Sequence, residues 1–217
     1  MLRRSFDREL RKLQDEVLVL GDMVDEAIRQ SVEILKRRDA EGAKALIAND
    51  KRINEKRFAI EEACLQLIAT QQPMARDLRT IAATLEIITD LERMADHAAG
   101  IAKITILIGD EPLIKPLIDV PRMAEKGRSM LRRALEAFIN QDAEAAARIA
   151  AEDDEVDALY NQVVRELFVL MMENPHNIRQ ANYLTWVSHN LERIADRVTN
   201  ICERVVFLVT GRMEEVQ

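Results

Sequence analysis

The chain has 217 residues, with 31 Lys and Arg against 38 Asp and Glu, for a net charge of −7. That length fits one large domain or two small ones, and the acidic balance, with arginines scattered along the chain, excludes a general nucleic-acid binder, which needs a clustered basic excess. Hydrophobic residues at 48% and charged residues at 32% exclude a disordered tail. Aromatics are only 4%, and 6 Gly with 5 Pro is far below the usual share. An apolar set of Ala, Leu, Ile, Val and Met with few chain breakers predicts an all-α fold.

The N-terminus runs from Met1 through Arg3, Arg4 and Asp7 straight into charged amphipathic sequence, without the apolar stretch of a signal peptide. No apolar run approaches the length of a membrane span, so a cytoplasmic location is expected. Cys64 and Cys202 form neither a metal spacing nor a disulfide framework and read as core residues.

In chain order, Leu10, Leu13, Val17, Leu20, Val24, Ala27, Ser31 and Ile34 step alternately by three and four, the seam of a long helix packed nearly antiparallel to its neighbours. Basic residues at Arg37 and Arg38 close it, and Asp39 is placed to cap a second helix running to about Ala69. Gln71-Gln72-Pro73 breaks the chain, and a third helix is expected from about Met74 to Ile108. Gly109 to Pro121 holds three of the five prolines and is expected to be a non-helical boundary.

The sequence then repeats. Arg38-Asp-Ala-Glu matches Gln141-Asp-Ala-Glu at an offset of 103, and Asp90-Leu-Glu-Arg-Met-Ala-Asp matches Asn190-Leu-Glu-Arg-Ile-Ala-Asp at an offset of 100. The shift falls at the second hairpin, where Pro73 and Pro175 are equivalent. An internal duplication of this kind gives two similar antiparallel three-helix bundles, spectrin-repeat-like, over residues 1–110 and 120–217.

Acidic residues recur with the duplication. Glu92-x-x-x-Asp96 returns as Glu192-x-x-x-Asp196, and Asp153-x-x-x-Asp157 has the counterpart Asp50-x-x-x-Asn54. A spacing of four puts each pair on one helical face. Asp50 and Asp153 stand in otherwise apolar rows of the second helix, and Glu92 and Asp96 edge the stripe Ile87, Leu91, Met94, Ala98 and Ile101. Like charges so placed need compensation. A cation between facing second and third helices supplies it, since oxygen donors suit hard or borderline metals. A salt-bridge lattice through Arg52, Arg57, Arg93, Arg193 and Arg197 does so equally well. Asp22 with Glu26 reads as solvated face.

Other features are weaker. His97, His176 and His189 do not repeat and are expected to be exposed or partner-facing. Glu173-x-x-His176 mimics half of a di-iron motif, but Pro175 lies inside it and no second copy exists. No phosphate loop or nucleophile elbow is present, so nothing in the residues argues for catalysis. Trp186 is expected in the core or an interface. Arg3, Arg4, Arg8, Arg11 and Lys12 form a small basic patch read as a solvated helix end.

The order Gln71-Gln-Pro73, Asp77-Leu-Arg79, Asp90 to Asp96, the proline segment Glu111-Pro-Leu-Ile-Lys-Pro116 and Leu191 to Asp196 resembles the PhoU family of phosphate-transport accessory proteins, along essentially the whole chain. The resemblance implies a cytoplasmic adaptor, not an enzyme. It would act with the ATPase of a phosphate ABC transporter and restrain a phosphate-sensing histidine kinase when phosphate is plentiful, reaching the membrane only through those partners. It also implies multinuclear metal sites of iron, manganese, magnesium or zinc, at Asp50, Asn54, Glu92 and Asp96 in the first bundle and Asp153, Asp157, Glu192 and Asp196 in the second. Asn54 departs from the pattern and offers a neutral oxygen, which implies a weaker first site. Spare apolar stripes are compatible with a homodimer. A bundle carboxylate metalloenzyme and a purely structural scaffold are the alternatives.

Overall fold

The computed structural model describes residues 2–212, with side chains from Phe6 onward. Two helix-rich halves follow each other: α1 (Leu2–Arg37), α2 (Ala40–Gln71) and α3 (Arg76–Ile108), then α4 (Asp119–Asn140), α5 (Ala143–Ala150), α6 (Asp153–Glu173) and α7 (Ile178–Thr210). The fold is all-α, and no strand occurs among the described residues.

The seam of α1 is buried as its spacing requires, from Leu13 through Val17, Leu20, Val24 and Ala27 to Ser31. Ile28, Val32 and Leu35 are buried as well. One seam serves one partner, whereas α1 packs against α2, α3 and α4. Asp39 caps α2 by accepting from the Gly42 amide at 2.8 Å, and its equivalent Asp142 caps α5 by accepting from Ala145 N at 2.9 Å. Each cap contributes roughly 1 kcal/mol. The residues just before them, Arg38 and Gln141, both adopt positive φ, 54° and 55°, so the duplication extends to the backbone of the hairpin.

Two expectations need correction. The proline segment is non-helical only to Ile118, because α4 starts at Asp119 and takes Pro121 into its first turn, where a missing N–H costs nothing. The second half also splits its middle helix: α5 ends at Ala150, Ala151-Glu152 form a turn, and α6 restarts with Asp153, Asp154 and Glu155 in its first turn, where the helix dipole favours acids. Elsewhere the boundary segment is tied down. Gln180 of α7 accepts from Ile114 N at 2.5 Å and donates to the Pro112 carbonyl at 2.9 Å, Lys115 pairs with Glu166, and Leu113, Ile114 and Leu117 pack on the core.

The halves join through α3 against α7 and α1 against α4, so a single hydrophobic core runs through both. The long third helices are buried on more than one face for this reason. In α3, Ile87, Leu91, Met94, Ala98 and Ile101 are buried, and so are Ile81, Ile88, Ala95 and Ala102 beside them. Each fully buried aliphatic side chain contributes roughly 1.5–3 kcal/mol.

Polar contacts across this junction obey a local two-fold relation. Asp90 of α3 meets Arg197 and Asn200 of α7, at 3.4 and 3.3 Å. Its equivalent Asn190 accepts at Oδ1 from His97 Nδ1 at 3.0 Å and lies where a Cβ on Gly100 would come within 2.9 Å of that oxygen. His97 and Arg197 are equivalents, as are Gly100 and Asn200. On the α1–α4 side, Asp25 accepts from Arg128 at 2.8 and 3.0 Å, and these two are each other's own equivalents. The pair therefore sits on the axis relating the halves.

Candidate functional site

The acids stand where the third helix of each half packs against the middle one. In the first half α2 brings Asp50 and Asn54 to α3 with its Glu92 and Asp96; in the second α6 brings Asp153 and Asp157 to α7 with its Glu192 and Asp196. Each set lines the helix–helix groove: Asp50, Asn54, Glu92, Asp153, Glu192 and Asp196 are half-buried, Asp96 and Asp157 exposed. All eight residues are thus gathered into two equivalent clusters.

The electrostatics inside each cluster are those of like charges only partly neutralised. Burial and then Asp96 across the groove push the Asp50 carboxyl above its ordinary range, while Lys103 and Asn54 pull it back. Glu92 is raised by burial, by Asp96 and by Asp50, against the pull of Arg57 and Arg93. The effect is largest in the second half, where burial, Asp196, Asp157 and Glu192 push Asp153 up to about 7. Asp157 and Glu192 are raised for the same reasons. Burial removes water from the charged form, and neighbouring carboxylates add repulsion.

Oxygen atoms in the clusters are short of partners. Asn54 donates to Asp50 Oδ2 at 3.2 Å, but Asp50 Oδ1, Asn54 Oδ1 and Asp153 Oδ1 are buried without a hydrogen bond. Glu192 Oε2 also lacks hydrogen-bond geometry, although His189 Nδ1 stands 3.3 Å away. Buried acceptors left open cost roughly 1–3 kcal/mol each. Of the arginines able to form a neutralising lattice, Arg193 pairs with Asp196 at 2.5 Å, whereas Arg57 pairs with Glu61 and Arg197 with Asp90. The lattice compensates the acids only in part. As a test of metal fit, the donor chemistry suits a hard or borderline cation. The clusters are open in shape, and among the described residues no three His, Cys, Asp or Glu side chains converge into a ready ligand set.

The remaining residues singled out by sequence fall elsewhere. Cys64 and Cys202 are fully buried free thiols, pushed up to about 12 by burial. His97 belongs to the junction of the halves, not to an exposed surface, because α7 covers that face of α3. His176 lies in the exposed Pro175–Asn177 turn, so Glu173 and His176 are no helical ligand pair. Trp186 is 54% exposed and stands edge-on to His189, with centroids 5.7 Å apart, instead of filling the core. Glu26 is not simply solvated, since Arg29 hydrogen-bonds it and holds its carboxyl down at about 2. Of the basic patch, Arg3 and Arg4 lie outside the residues whose side chains are described, and Arg8 is exposed beside Glu9. Sequence reading missed Asp90, Asp25 and Arg128, whose partners lie about a hundred residues away.

The PhoU domain model matches residues 17–105 and again 120–205. The chain belongs to the PhoU family. A PhoU homolog from Clostridium acetobutylicum, a phosphate-specific transport system accessory protein, is 35% identical over 217 residues, spanning 100% of this chain and 99% of the relative. One of the same name from Aquifex aeolicus is 37% identical over 210 residues, 97% of this chain and 95% of that one. The crystal structure of the phosphate transport system regulatory protein PhoU from Streptococcus pneumoniae superposes with a TM-score of 0.90 at 35% identity, covering 96% of this chain and 99% of that one. The PhoU matches fall on the two halves, and each contains one acid cluster.

Proposed function

We propose that this chain is a cytoplasmic, phosphate-responsive regulatory adaptor that acts with a phosphate ABC transporter. It restrains a phosphate-sensing histidine kinase under phosphate-rich conditions, through contacts with that kinase and with the transporter ATPase. The observation that carries this reading is full-length PhoU family membership, with both halves matched and curated relatives named for phosphate-specific transport. No helix among the described residues is long and apolar enough to cross a membrane, so contact with the transporter falls to the protein surface. Deleting the gene and measuring phosphate-starvation gene expression in phosphate-rich medium tests the proposal. Derepression is expected, and unchanged repression overturns it.

The two acid clusters serve, on the same proposal, as metal sites, with Asp50, Asn54, Glu92 and Asp96 in one and Asp153, Asp157, Glu192 and Asp196 in the other. Their open, mutually repelling oxygens support this, and iron, manganese, magnesium and zinc are the candidate ions. Asn54 leaves the first cluster with one carboxylate fewer, which weakens it relative to the second. Elemental analysis and melting with and without chelator decide the matter. A ligand that binds only the folded state raises the melting temperature, so an unchanged curve and no bound metal refute this part alone.

A further inference from the structure

The halves differ in the groove between their first two helices, and the difference is one of charge. In the second half, Arg133 of α4 reaches Glu152 at the α5–α6 corner with two hydrogen bonds of 2.6 and 2.8 Å. Lys126 joins Glu152 and Glu155 at 2.7 and 2.9 Å. The equivalent positions, 103 residues earlier, are Gln30, Asn49, Met23 and Arg52. Two neutral amides thus replace the ionic bridge, and an arginine replaces the acid beside it.

The first-half groove is open, with a volume of about 790 Å³, and is lined by Arg29, Gln30 and Arg37 from α1 and by Asn49 and Arg52 from α2. Its two acids are already engaged: Glu33 pairs with Lys36 at 2.7 Å, and Asp39 caps α2. Arg29 is held by Glu26. Neither Arg37 nor Arg52 hydrogen-bonds or ion-pairs with a described side chain, and both are exposed. Arginine's planar fork is suited to bidentate capture of carboxylates. With Arg29, Arg37 and Arg52 against Glu33 and Asp39, the groove lining carries a basic excess in a chain of net charge −7.

We propose that the groove binds an acidic peptide segment of a protein partner, whose carboxylates meet Arg37 and Arg52 as Glu152 meets Arg133 within the second half. The volume is that of a groove that accepts several side chains, and arginines on both walls suit a row of acids in preference to one small anion. The groove lies apart from the acid clusters, so its failure and the failure of the metal or regulatory readings are separately visible.

The test is fluorescence anisotropy of the full chain with a short fluorescein-labelled peptide of glutamate and alanine. Binding is expected to weaken roughly tenfold on Arg37→Ala or Arg52→Ala, to vanish in the double variant and to fall with salt. Arg148→Ala, an exposed arginine of the second half, is expected to leave it unchanged. The triple variant Gln30→Arg, Asn49→Glu, Arg52→Glu writes the second half's bridge into the first. It is expected to abolish binding while the melting temperature holds. No binding, binding indifferent to Arg37 and Arg52, or displacement by millimolar inorganic phosphate at constant ionic strength overturns the proposal.

Discussion

Asp153→Asn in metal-free protein is expected to stabilise the fold at pH 8, where the wild-type side chain has lost the proton that the fold favours. The folded state holds Asp153 at about 7 against an ordinary 3.8. Between those values the folded chain carries a proton that the unfolded chain has released, so stability falls as pH rises through that window and the loss is complete above it. At about 1.4 kcal/mol per pH unit the full span is worth about 4 kcal/mol. Asp153 is only half-buried, and solvent screening reduces that to roughly 2 kcal/mol. Against this, Asp153 opens α6, and removing its charge forfeits a dipole interaction of roughly 0.3–1 kcal/mol. The combined penalty of burial and repulsion wins by roughly 1 kcal/mol, which for a chain of this size raises Tm by roughly 2–4 °C. Calorimetry in chelator from pH 5 to 8 should show wild type and variant converging at the acid end and separating at the other. With manganese added, the order should reverse as the variant loses a ligand. A variant that is less stable at pH 8 in chelator, or a difference that ignores pH, refutes the account of the cluster as only partly compensated charge.

Three further outcomes follow from other contacts. Arg133→Ala removes the bidentate bridge to Glu152 and should cost roughly 1 kcal/mol in urea denaturation. Because that bridge holds Glu152 at about 2 instead of 4.5, the cost should be present at neutral pH and shrink as pH falls through that window. Asp90→Asn should lie within about 1 kcal/mol of wild type by thermal melting, since burial already raises this carboxyl and the other half uses Asn190 at the same place. Asp25→Arg, by contrast, sets a third guanidinium against Arg128 and Arg132 and should cost roughly 2–3 kcal/mol by the same measurement.

Much of this architecture is legible in the sequence because it is periodic or local. The heptad of α1, the Asp39 cap, the buried thiols and the duplication all rest on residues a few positions apart or on exact recurrence. The acid clusters were legible for the second reason: spacing alone is commonplace, but the same spacing at equivalent places in both halves is not. What escaped reading is what the junction decides. Periodicity shows the stripe Ile87 to Ile101 but cannot show that Ile81, Ile88 and Ala95 are buried as well, nor that α7 covers His97. The break at Ala151-Glu152 contains neither Gly nor Pro, and is marked instead by the ionic grip of Arg133 and Lys126 on Glu152. Of the two places expected for Trp186, its exposure excludes the core.

The pair on the local axis, Asp25 with Arg128, bears on how such a molecule could have been assembled from one ancestral unit. Two separate copies of either half, meeting about the same axis, would press identical charges together, aspartate on aspartate or guanidinium on guanidinium. Covalent fusion frees the two positions to diverge, and opposite signs then make the joint specific. Separately produced fragments should accordingly disfavour self-pairing in this manner and reassemble as unlike mates, a preference to which the ion pair on the local axis contributes.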